Sequence, residues 1–137
     1  MHLIRIHGPW TAELILDGRQ ETRRVHLPRD WDELGSLVRT GSVLLVRRFH
    51  RPTGLSPSTR VAISVPREWH LQQVTLNSQP LSAVTSTDDR QRFDISIAIQ
   101  DRESHDLAMT FPAGADLAPH PYSVAMEIEE PAEPLNR

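Results

Sequence analysis

Short segments in which apolar and polar residues alternate recur along almost the whole chain, and turn-forming residues separate them. Strict alternation is typical of β-strands that bury one face. A regular succession of such strands favours an antiparallel sandwich or barrel over alternating strands and helices, so we predict an all-β fold. The predicted strands cover residues 2–7, 10–16, 22–27, 42–50, 60–65, 70–76, 80–84, 92–99, 105–111 and 122–129.

Two short turns indicate how neighbouring strands pair. Asp17-Gly18 separates the second and third segments and is a typical hairpin turn. Asn77-Ser78 plays the same part within "VTLNSQPL". Asparagine tolerates the left-handed backbone of a tight turn, and Pro80 can enter an edge strand where no amide is needed. We therefore interpret this stretch as a scaffold hairpin, with a ligand contact through Asn77 as the alternative.

One helix is predicted between the third and fourth strands. Asp30 can accept hydrogen bonds from first-turn amides, and Glu33 three residues later completes a capping-box pattern. Gly41 is a suitable terminator. The apolar residues that share one face of this helix are Trp31, Leu34 and Val38. We expect a short helix that closes one end of the sandwich.

The composition is that of an ordinary globular domain. The chain has 137 residues, of which 38% are hydrophobic and 24% charged, and a formal net charge of −3. This mild acidity argues against a nucleic-acid partner, and no apolar run approaches the ~20 residues of a membrane-spanning helix. The N-terminal residues lack the pattern of a signal peptide, so the default expected location is the cytoplasm. We predict a single domain over residues 1–130 and a flexible, acidic, proline-containing tail over residues 131–137.

The residue types that are absent exclude several kinds of chemistry. There is no cysteine, which removes disulfides, thiolate metal sites and cysteine nucleophiles. All 15 basic residues are arginine, so Schiff-base chemistry and a P-loop lysine are also excluded. The histidines fall singly, with no HExxH or His-x-His pair, and we predict no metal site and no cofactor.

Acidic residues are candidates for two further kinds of site. Asp88, Asp89, Asp101 and Glu103 could supply oxygen ligands to a structural Ca²⁺. We interpret them as solvated turn residues and keep calcium as the alternative. Glycoside hydrolysis needs a carboxylate pair at a defined separation, and the sequence singles out no pair. It also contains no G-x-S-x-G elbow, so we predict no catalytic residue.

The order of several motifs carries more information than each motif does alone. "HGPW", "LPRDW", "VLLVRRFHRP", "RVAISV", a V-x-L-N-x-x-P-L hairpin, "RFDIS" and "HDLAMTF" follow one another over residues 8–111. This order resembles the sugar-binding domain of β-galactosidase- and β-glucuronidase-type glycoside hydrolases. The chain departs from the family pattern at Ser78, where the family has glycine, and in the loops 65–73 and 84–91. The residues that match it are Asn77, Leu81, Phe93, Asp94, Ile95 and Leu107.

The resemblance implies a galactose-binding-domain-like jelly-roll β-sandwich with one short helix. In the resembled enzymes the catalytic carboxylates lie in a separate barrel domain, so we expect this chain not to be an enzyme. The leading functional hypothesis is a non-catalytic carbohydrate-binding-like module. The alternative is a structural or protein-interaction sandwich that has lost sugar binding, with a partner protein or domain in place of the carbohydrate.

A loop after Pro66 holds the best candidate sugar contacts. An exposed Trp69 could stack on the apolar face of a sugar ring, while Arg67 and His70 supply polar contacts to the hydroxyls. Trp69 could instead fill the core, and the sequence leaves both interpretations open. The predicted ligand-binding residues are Arg67, Trp69, His70 and Asn77.

Two adjacent arginines raise a further hypothesis. Arg47 and Arg48 lie in one predicted strand, so their side chains point to opposite faces. We predict that one of them forms an internal ion pair with Asp94, because both segments have the pattern of central strands. Binding of sugar hydroxyls by such an arginine is the alternative.

Overall fold

The computed structural model of the chain describes residues 1–84 and 88–130, which form eleven strands, one helix and two 3₁₀ turns. The helix α1 spans Trp31–Thr40, and the turns span Arg67–Trp69 and Ala98–Gln100. The strands are β1 (His2–Arg5), β2 (Gly8–Leu16), β3 (Arg19–Leu27), β4 (Val43–His50), β5 (Arg60–Pro66), β6 (Gln73–Leu76), β7 (Gln79–Pro80), β8 (Ala83–Val84), β9 (Arg90–Asp94), β10 (Ser104–Phe111) and β11 (Ala125–Glu129).

The strands form two antiparallel sheets. The five-stranded sheet has the order β1-β11-β5-β9-β8, and the six-stranded sheet has the order β3-β2-β4-β10-β6-β7. The chain crosses from one sheet to the other between β1 and β2, and β3 is an edge of the six-stranded sheet. This architecture confirms the predicted all-β jelly-roll sandwich with one short helix. The helix that the described residues form is too short and too polar to span a bilayer.

The core lies between the sheets, because strand alternation turns one face of each sheet inwards. On β10, His105, Leu107, Met109 and Phe111 are buried, while the residues between them are half-buried. The helix adds its apolar face, as its spacing predicted. The buried residues of α1 are Leu34, Leu37 and Val38.

Two strands are shorter than predicted because 3₁₀ turns interrupt the extended backbone. β9 ends at Asp94, and the turn at Ala98–Gln100 follows a segment in which Ile97 is 85% exposed. β6 begins later than predicted, since the turn at Arg67–Trp69 ends in a left-handed residue, His70, with φ of 49°. Alternation alone does not distinguish these turns from strands.

The predicted side-chain cap of α1 is wrong. Asp30 precedes the helix, but its side chain makes no hydrogen bond to the first turn. The carboxylate accepts the backbone N–H of His26 at 2.8 Å, and the Asp30 N–H donates to the His26 carbonyl at 2.7 Å. Hydrogen bonds from the Arg29 side chain and then from the His26 amide lower the pKa of Asp30. The carboxylate therefore ties the helix entry to strand β3.

Both predicted hairpin turns are confirmed. Asp17 and Gly18 join β2 to β3 with φ values of 51° and 76°, and Asn77 and Ser78 join β6 to β7 with φ values of 52° and 69°. Positive φ at both central residues is the requirement of a type I′ turn. The local residue choice therefore sets the strand register at both hairpins.

Tyr122 is the only tyrosine of the chain, which makes its phenol a specific spectroscopic reporter of the core. The hydroxyl donates to the carbonyl of Ile6 and accepts the indole N–H of Trp10 at 3.2 Å. Burial raises the pKa of Tyr122 well above that of an exposed tyrosine. We expect the folded protein to remain free of phenolate near pH ~10, where an unfolded chain is half ionised.

The sign of the resulting pH dependence follows from the raised pKa of Tyr122 in the folded state. Its stabilising contribution is complete below the unfolded pKa of ~10 and is lost as the pH rises beyond that value. An alkaline titration of phenolate absorbance, in buffer and in denaturant, measures both ionisations. Tyr122→Phe, which cannot ionise, is the control for melting temperature against pH. Equal titration midpoints in buffer and denaturant would contradict the expectation.

Candidate functional site

Trp69 lies in the core, so the expectation of an exposed indole that stacks on sugar is wrong. Its side chain is fully buried. The ring packs against Trp31 at a centroid distance of 5.0 Å, against Phe111 at 5.5 Å and against Tyr122 at 6.1 Å. The 3₁₀ turn before His70 directs the indole inwards, onto the apolar face of α1. The core-filling alternative is therefore the one that the structure adopts.

Arg67 and His70 remain at the surface around this buried indole. The Arg67 guanidinium donates to the backbone carbonyls of Asp88 at 3.3 Å and Arg90 at 3.0 Å. The backbone N–H of Arg67 donates to the backbone carbonyl of Asp89 at 2.9 Å. These bonds hold the segment that leads into β9 against the 3₁₀ turn. His70 is exposed at the end of that turn. Arg67 therefore stabilises the contact between these two segments.

Asn77 lies at the other end of β6 and is not brought together with Arg67 and His70. Its backbone N–H donates to the Asp106 carbonyl at 2.8 Å, and its Oδ1 accepts the Asp106 N–H at 2.9 Å. Its Nδ2 lies 2.9 Å from Nδ1 of the buried His105. Both side-chain atoms of Asn77 are engaged in joining the hairpin to β10, which favours the scaffold interpretation.

The tautomer of His105 follows from its contacts. Nε2 lies 3.1 Å from the carbonyl of Ile99 and 3.0 Å from that of Arg102, and carbonyls only accept hydrogen bonds. Nε2 therefore carries the proton, and Nδ1 accepts from Asn77. The ring also stacks on Phe49 at a centroid distance of 5.5 Å. His105 is thus a buried histidine whose two ring nitrogens both have hydrogen-bond partners within the fold.

A cavity of about 610 Å³ lies on the outer face of the five-stranded sheet. We call it the charged cleft. The sequence did not point to it, because its lining comes from strands that are distant along the chain. Its charged lining residues are Arg60, Asp88, Arg92, Asp94, Glu127 and Glu129.

A short side chain in the middle of the sheet creates the depression. Ala62 on β5 is flanked in register by Asp94 on β9 and by Glu127 on β11. The methyl group of alanine between two longer acidic side chains leaves an apolar floor below polar walls. Val84 on β8 and Ser96 extend the lining beside them.

Arg92 organises one wall of the charged cleft. Its Nε lies 2.7 Å from Glu127 Oε1, and its Nη1 lies 2.9 Å from Asp88 Oδ1. Hydrogen bonds to Asp88 and Glu127 raise the pKa of Arg92 above its usual range. Since the Glu127 side chain is only 13% exposed, this ion pair is shielded from water more than a surface pair would be.

Asp94 and Arg60 form the opposite wall of the charged cleft. Asp94 Oδ1 accepts the backbone N–H of Ser96 at 2.8 Å. Hydrogen bonding by Ser96 and the nearby charge of Arg60 lower the pKa of Asp94. Arg60 faces Glu129 in the β5–β11 register, and within the described residues its guanidinium makes no ion pair. This wall therefore offers a charged donor to a ligand.

The predicted ion pair between Asp94 and one of the two adjacent arginines is wrong. Asp94 lies on β9 in the five-stranded sheet, whereas Arg47 and Arg48 lie on β4 in the six-stranded sheet. Arg48 pairs instead with Asp106 at 3.1 Å, and Arg47 donates to the His7 carbonyl at 2.8 Å. The two arginines do point to opposite faces, as alternation predicts, but the sheet that each strand joins is not a local property.

Metal ligation has no geometric support in the part of the chain that the structure describes. Across residues 1–84 and 88–130, no group of three or more His, Asp or Glu side chains is arranged to hold a metal ion. Asp88 is engaged with Arg92 at 2.9 Å.

The comparisons with known proteins identify the fold. No family model matches the sequence, and no curated protein matches it. Among solved structures, the FMN-binding β-glucuronidase from Faecalibacterium prausnitzii L2-6 superimposes with a TM-score of 0.61 and 16% identity, over 91% of this chain and 22% of that chain. The Bifidobacterium dentium β-glucuronidase complexed with coumarin-3-O-glucuronide gives a TM-score of 0.60 and 18% identity, over 81% of this chain and 20% of that one.

A third enzyme extends the likeness beyond glucuronidases. The GH2 β-galacturonidase from Eisenbergiella tayi bound to galacturonate gives a TM-score of 0.56 and 9% identity, over 91% of this chain and 24% of that chain. The chain thus has the fold of a domain of GH2 enzymes, in agreement with the resemblance in its motif order. It spans less than a quarter of the length of each of these enzymes.

Proposed function

We propose that this chain is a non-catalytic module that binds a carbohydrate or a similar polyhydroxylated ligand in the charged cleft. The observation that carries the proposal is the arrangement of hydrogen-bonding walls around an apolar floor in one cavity of about 610 Å³. This volume lies in the range of small-molecule sites, which are typically about 300–1,000 Å³. The cleft replaces the loop around Trp69 as the leading candidate, because that indole is buried.

The chemistry of the charged cleft fits a sugar. Arg60 is a charged donor, and Asp94 and Glu129 are acceptors that can each bind hydroxyl groups. Ala62 and Val84 give an apolar surface on which the C–H face of a pyranose can rest. Hydroxyl groups and C–H groups lie side by side on sugars, so a site needs both kinds of lining.

The carboxylates of the charged cleft are poorly suited to catalysis. A general acid for glycoside hydrolysis needs a raised pKa so that it is protonated at neutral pH. The pKa of Asp94 is lowered instead. Asp88 and Glu127 are both ion-paired to Arg92, so both carboxylates are already engaged within the wall of the charged cleft. The short span of the chain relative to the GH2 enzymes also supports a non-catalytic role.

A structural or protein-interaction module is the second candidate, and the aromatic residues favour it. The chain has seven Trp, Tyr and Phe residues. Trp31 and Tyr122 are half-buried and pack against each other at 5.6 Å. The others, which are buried, are Trp10, Phe49, Trp69, Phe93 and Phe111. None of the seven offers the open stacking surface of a typical sugar site.

A glycan-binding screen followed by titration of the best hit distinguishes the two candidates. We expect a dissociation constant no tighter than about 0.1 mM, because a shallow polar site gives little affinity. Asp94→Asn keeps the acceptor for the Ser96 N–H but removes the charge, and we expect it to weaken binding about tenfold.

His70→Asn is the matched control, since His70 is exposed and asparagine tolerates its positive φ. It should leave the affinity unchanged. If His70→Asn abolishes binding while Asp94→Asn does not, the ligand site lies in the loop rather than in the charged cleft. An empty screen with a folded protein would overturn carbohydrate binding and favour the interaction module.

A further inference from the structure

We propose that a second site, separate from the charged cleft, binds a small organic anion: a carboxylate or a phosphate monoester carried on an apolar body. The site is a crevice of about 370 Å³ between β1 of the five-stranded sheet and the end of β4 in the six-stranded sheet. We call it the basic crevice. It shares no lining residue with the charged cleft, so this proposal does not depend on carbohydrate binding. Its lining includes Ile4, Arg5, Arg47, Phe49 and Met126.

Arg47 occupies a position that alternation assigns to the core. Its neighbours at two-residue spacing on β4, Leu45 and Phe49, are buried. Its register partner on β10, Leu107, is also buried. A charged residue in a core-facing row is costly unless its charge is compensated. Arg47 itself is half-buried, so its guanidinium lies where this core-facing row meets the solvent.

The contacts of Arg47 position its charge without neutralising it. Nε donates to the His7 carbonyl at 2.8 Å, and Nη1 donates to the Arg48 carbonyl at 2.8 Å. Within residues 1–84 and 88–130 the guanidinium makes no ion pair, and its Nη2 has no hydrogen-bond acceptor. The group is thus held in one orientation by backbone carbonyls, with a donor pair left over for an anion.

Gly8 lies next to this donor group at the crossing from β1 to β2. A Cβ at that position would lie 3.4 Å from Arg47 Nη2, and the backbone there has φ of 102°. This distance is an ordinary van der Waals contact, so a Cβ there would fit beside the guanidinium. The positive φ, however, favours glycine at the crossing from β1 to β2.

The remaining lining defines the chemistry of the ligand. Arg5 is exposed and, in the described part of the chain, makes no ion pair, while no acidic residue lines the basic crevice. This is a local excess of positive charge on a chain with a net charge of −3. Phe49 and Met126, together with the half-buried Ile4, supply an apolar floor. Guanidinium groups recognise planar carboxylates and phosphates through paired N–H donors, so an anion on an apolar body matches both features.

Benzoate and phenyl phosphate are suitable probes, with benzamide as the neutral analogue and inorganic phosphate as the anion alone. We titrate each into the isotope-labelled chain and follow amide and arginine side-chain resonances. We expect saturable shifts at Ile4, Arg47 and Phe49, with a dissociation constant of about 1 mM for the tighter-binding of the two organic anions. Benzamide and inorganic phosphate should each bind about tenfold more weakly, and added salt should weaken the organic anions. Comparison of the affinities for benzoate and phenyl phosphate shows whether the basic crevice prefers a carboxylate or a phosphate.

Arg47→Met removes the charge and keeps an apolar chain of similar reach, and we expect it to reduce anion affinity about tenfold or more. Arg5→Glu tests the same site at an exposed position, so it remains informative even if Arg47→Met fails to fold. Arg24→Glu on β3 makes the same change of net charge outside the basic crevice and should leave the affinity unchanged. Equal binding of benzoate and benzamide, an unchanged affinity in Arg5→Glu, or no shift at Ile4 and Phe49 would each overturn the proposal.

Discussion

Truncation of Trp69 to alanine is expected to lower the free energy of unfolding by about 3–5 kcal/mol, as for other fully buried large aromatics. The indole is fully buried and contacts the rings of Trp31, Phe111 and Tyr122, so its removal leaves a cavity in the middle of an aromatic cluster. A loss of this size is a large part of the total stability of a typical domain. Chemical denaturation followed by far-ultraviolet circular dichroism measures it without relying on tryptophan fluorescence.

Trp69→Phe is the matched control for this prediction. The indole Nε1 is buried and has no hydrogen-bond partner among the described residues. A phenyl ring removes this unpaired donor while it keeps much of the packing, so we expect a clearly smaller loss than for Trp69→Ala. A loss below about 1 kcal/mol in Trp69→Ala would mean that the ring does not fill the core as described.

Replacement of Asn77 by alanine is expected to cost about 2–4 kcal/mol. The change leaves the Asp106 N–H and Nδ1 of the buried His105 without their side-chain partner. It also places alanine in a left-handed backbone conformation, with φ of 52°, without the side-chain hydrogen bonds that stabilise asparagine there. Thermal and denaturant unfolding measure the total cost of the lost hydrogen bonds and the backbone strain.

Two glycine variants separate these contributions. Asn77→Gly relieves the strain but not the lost hydrogen bonds, so it should recover only about 1 kcal/mol of the cost. Ser78→Gly, at the neighbouring turn position with φ of 69°, loses no such network and should be neutral or stabilising. If Asn77→Gly is as stable as the unchanged chain, the contacts of Asn77 with β10 contribute nothing.

The strands and hairpins could be predicted because the information for them is local. Alternation identifies the buried face of β10, and Asp17-Gly18 and Asn77-Ser78 adopt the backbone that their residue types favour. The direction of the Trp69 side chain could not be predicted in this way, because a residue in a short turn can point to the core or to the surface. The indole packs against Trp31 on the apolar face of α1, which is distant in the sequence.

The charged cleft could not be predicted for a related reason. Its walls meet only when β5, β9 and β11 become neighbours, and that order is set by the whole sandwich. The same holds for Arg90, whose guanidinium donates to Ser64 and Ser123 at 2.8 Å from each hydroxyl. In the sequence these residues are isolated polar positions. The alternation of polar and apolar residues predicts that these side chains face outwards, but it does not predict which of them form hydrogen bonds with one another.

The contact between Asp30 and His26 has a consequence for self-association. β3 is a nine-residue edge strand, and an open edge of that length is a template on which another chain can add a strand. Asp30 occupies both the N–H and the carbonyl of His26 on the unpaired side of the strand. The rest of the edge carries the alternating charges of Glu21 and Arg23 and the exposed Arg24. Asp30 thus blocks one end of β3, which is the longest edge strand among the described residues. The charged side chains along the rest of β3 disfavour pairing with another chain, so the edge is protected against aggregation.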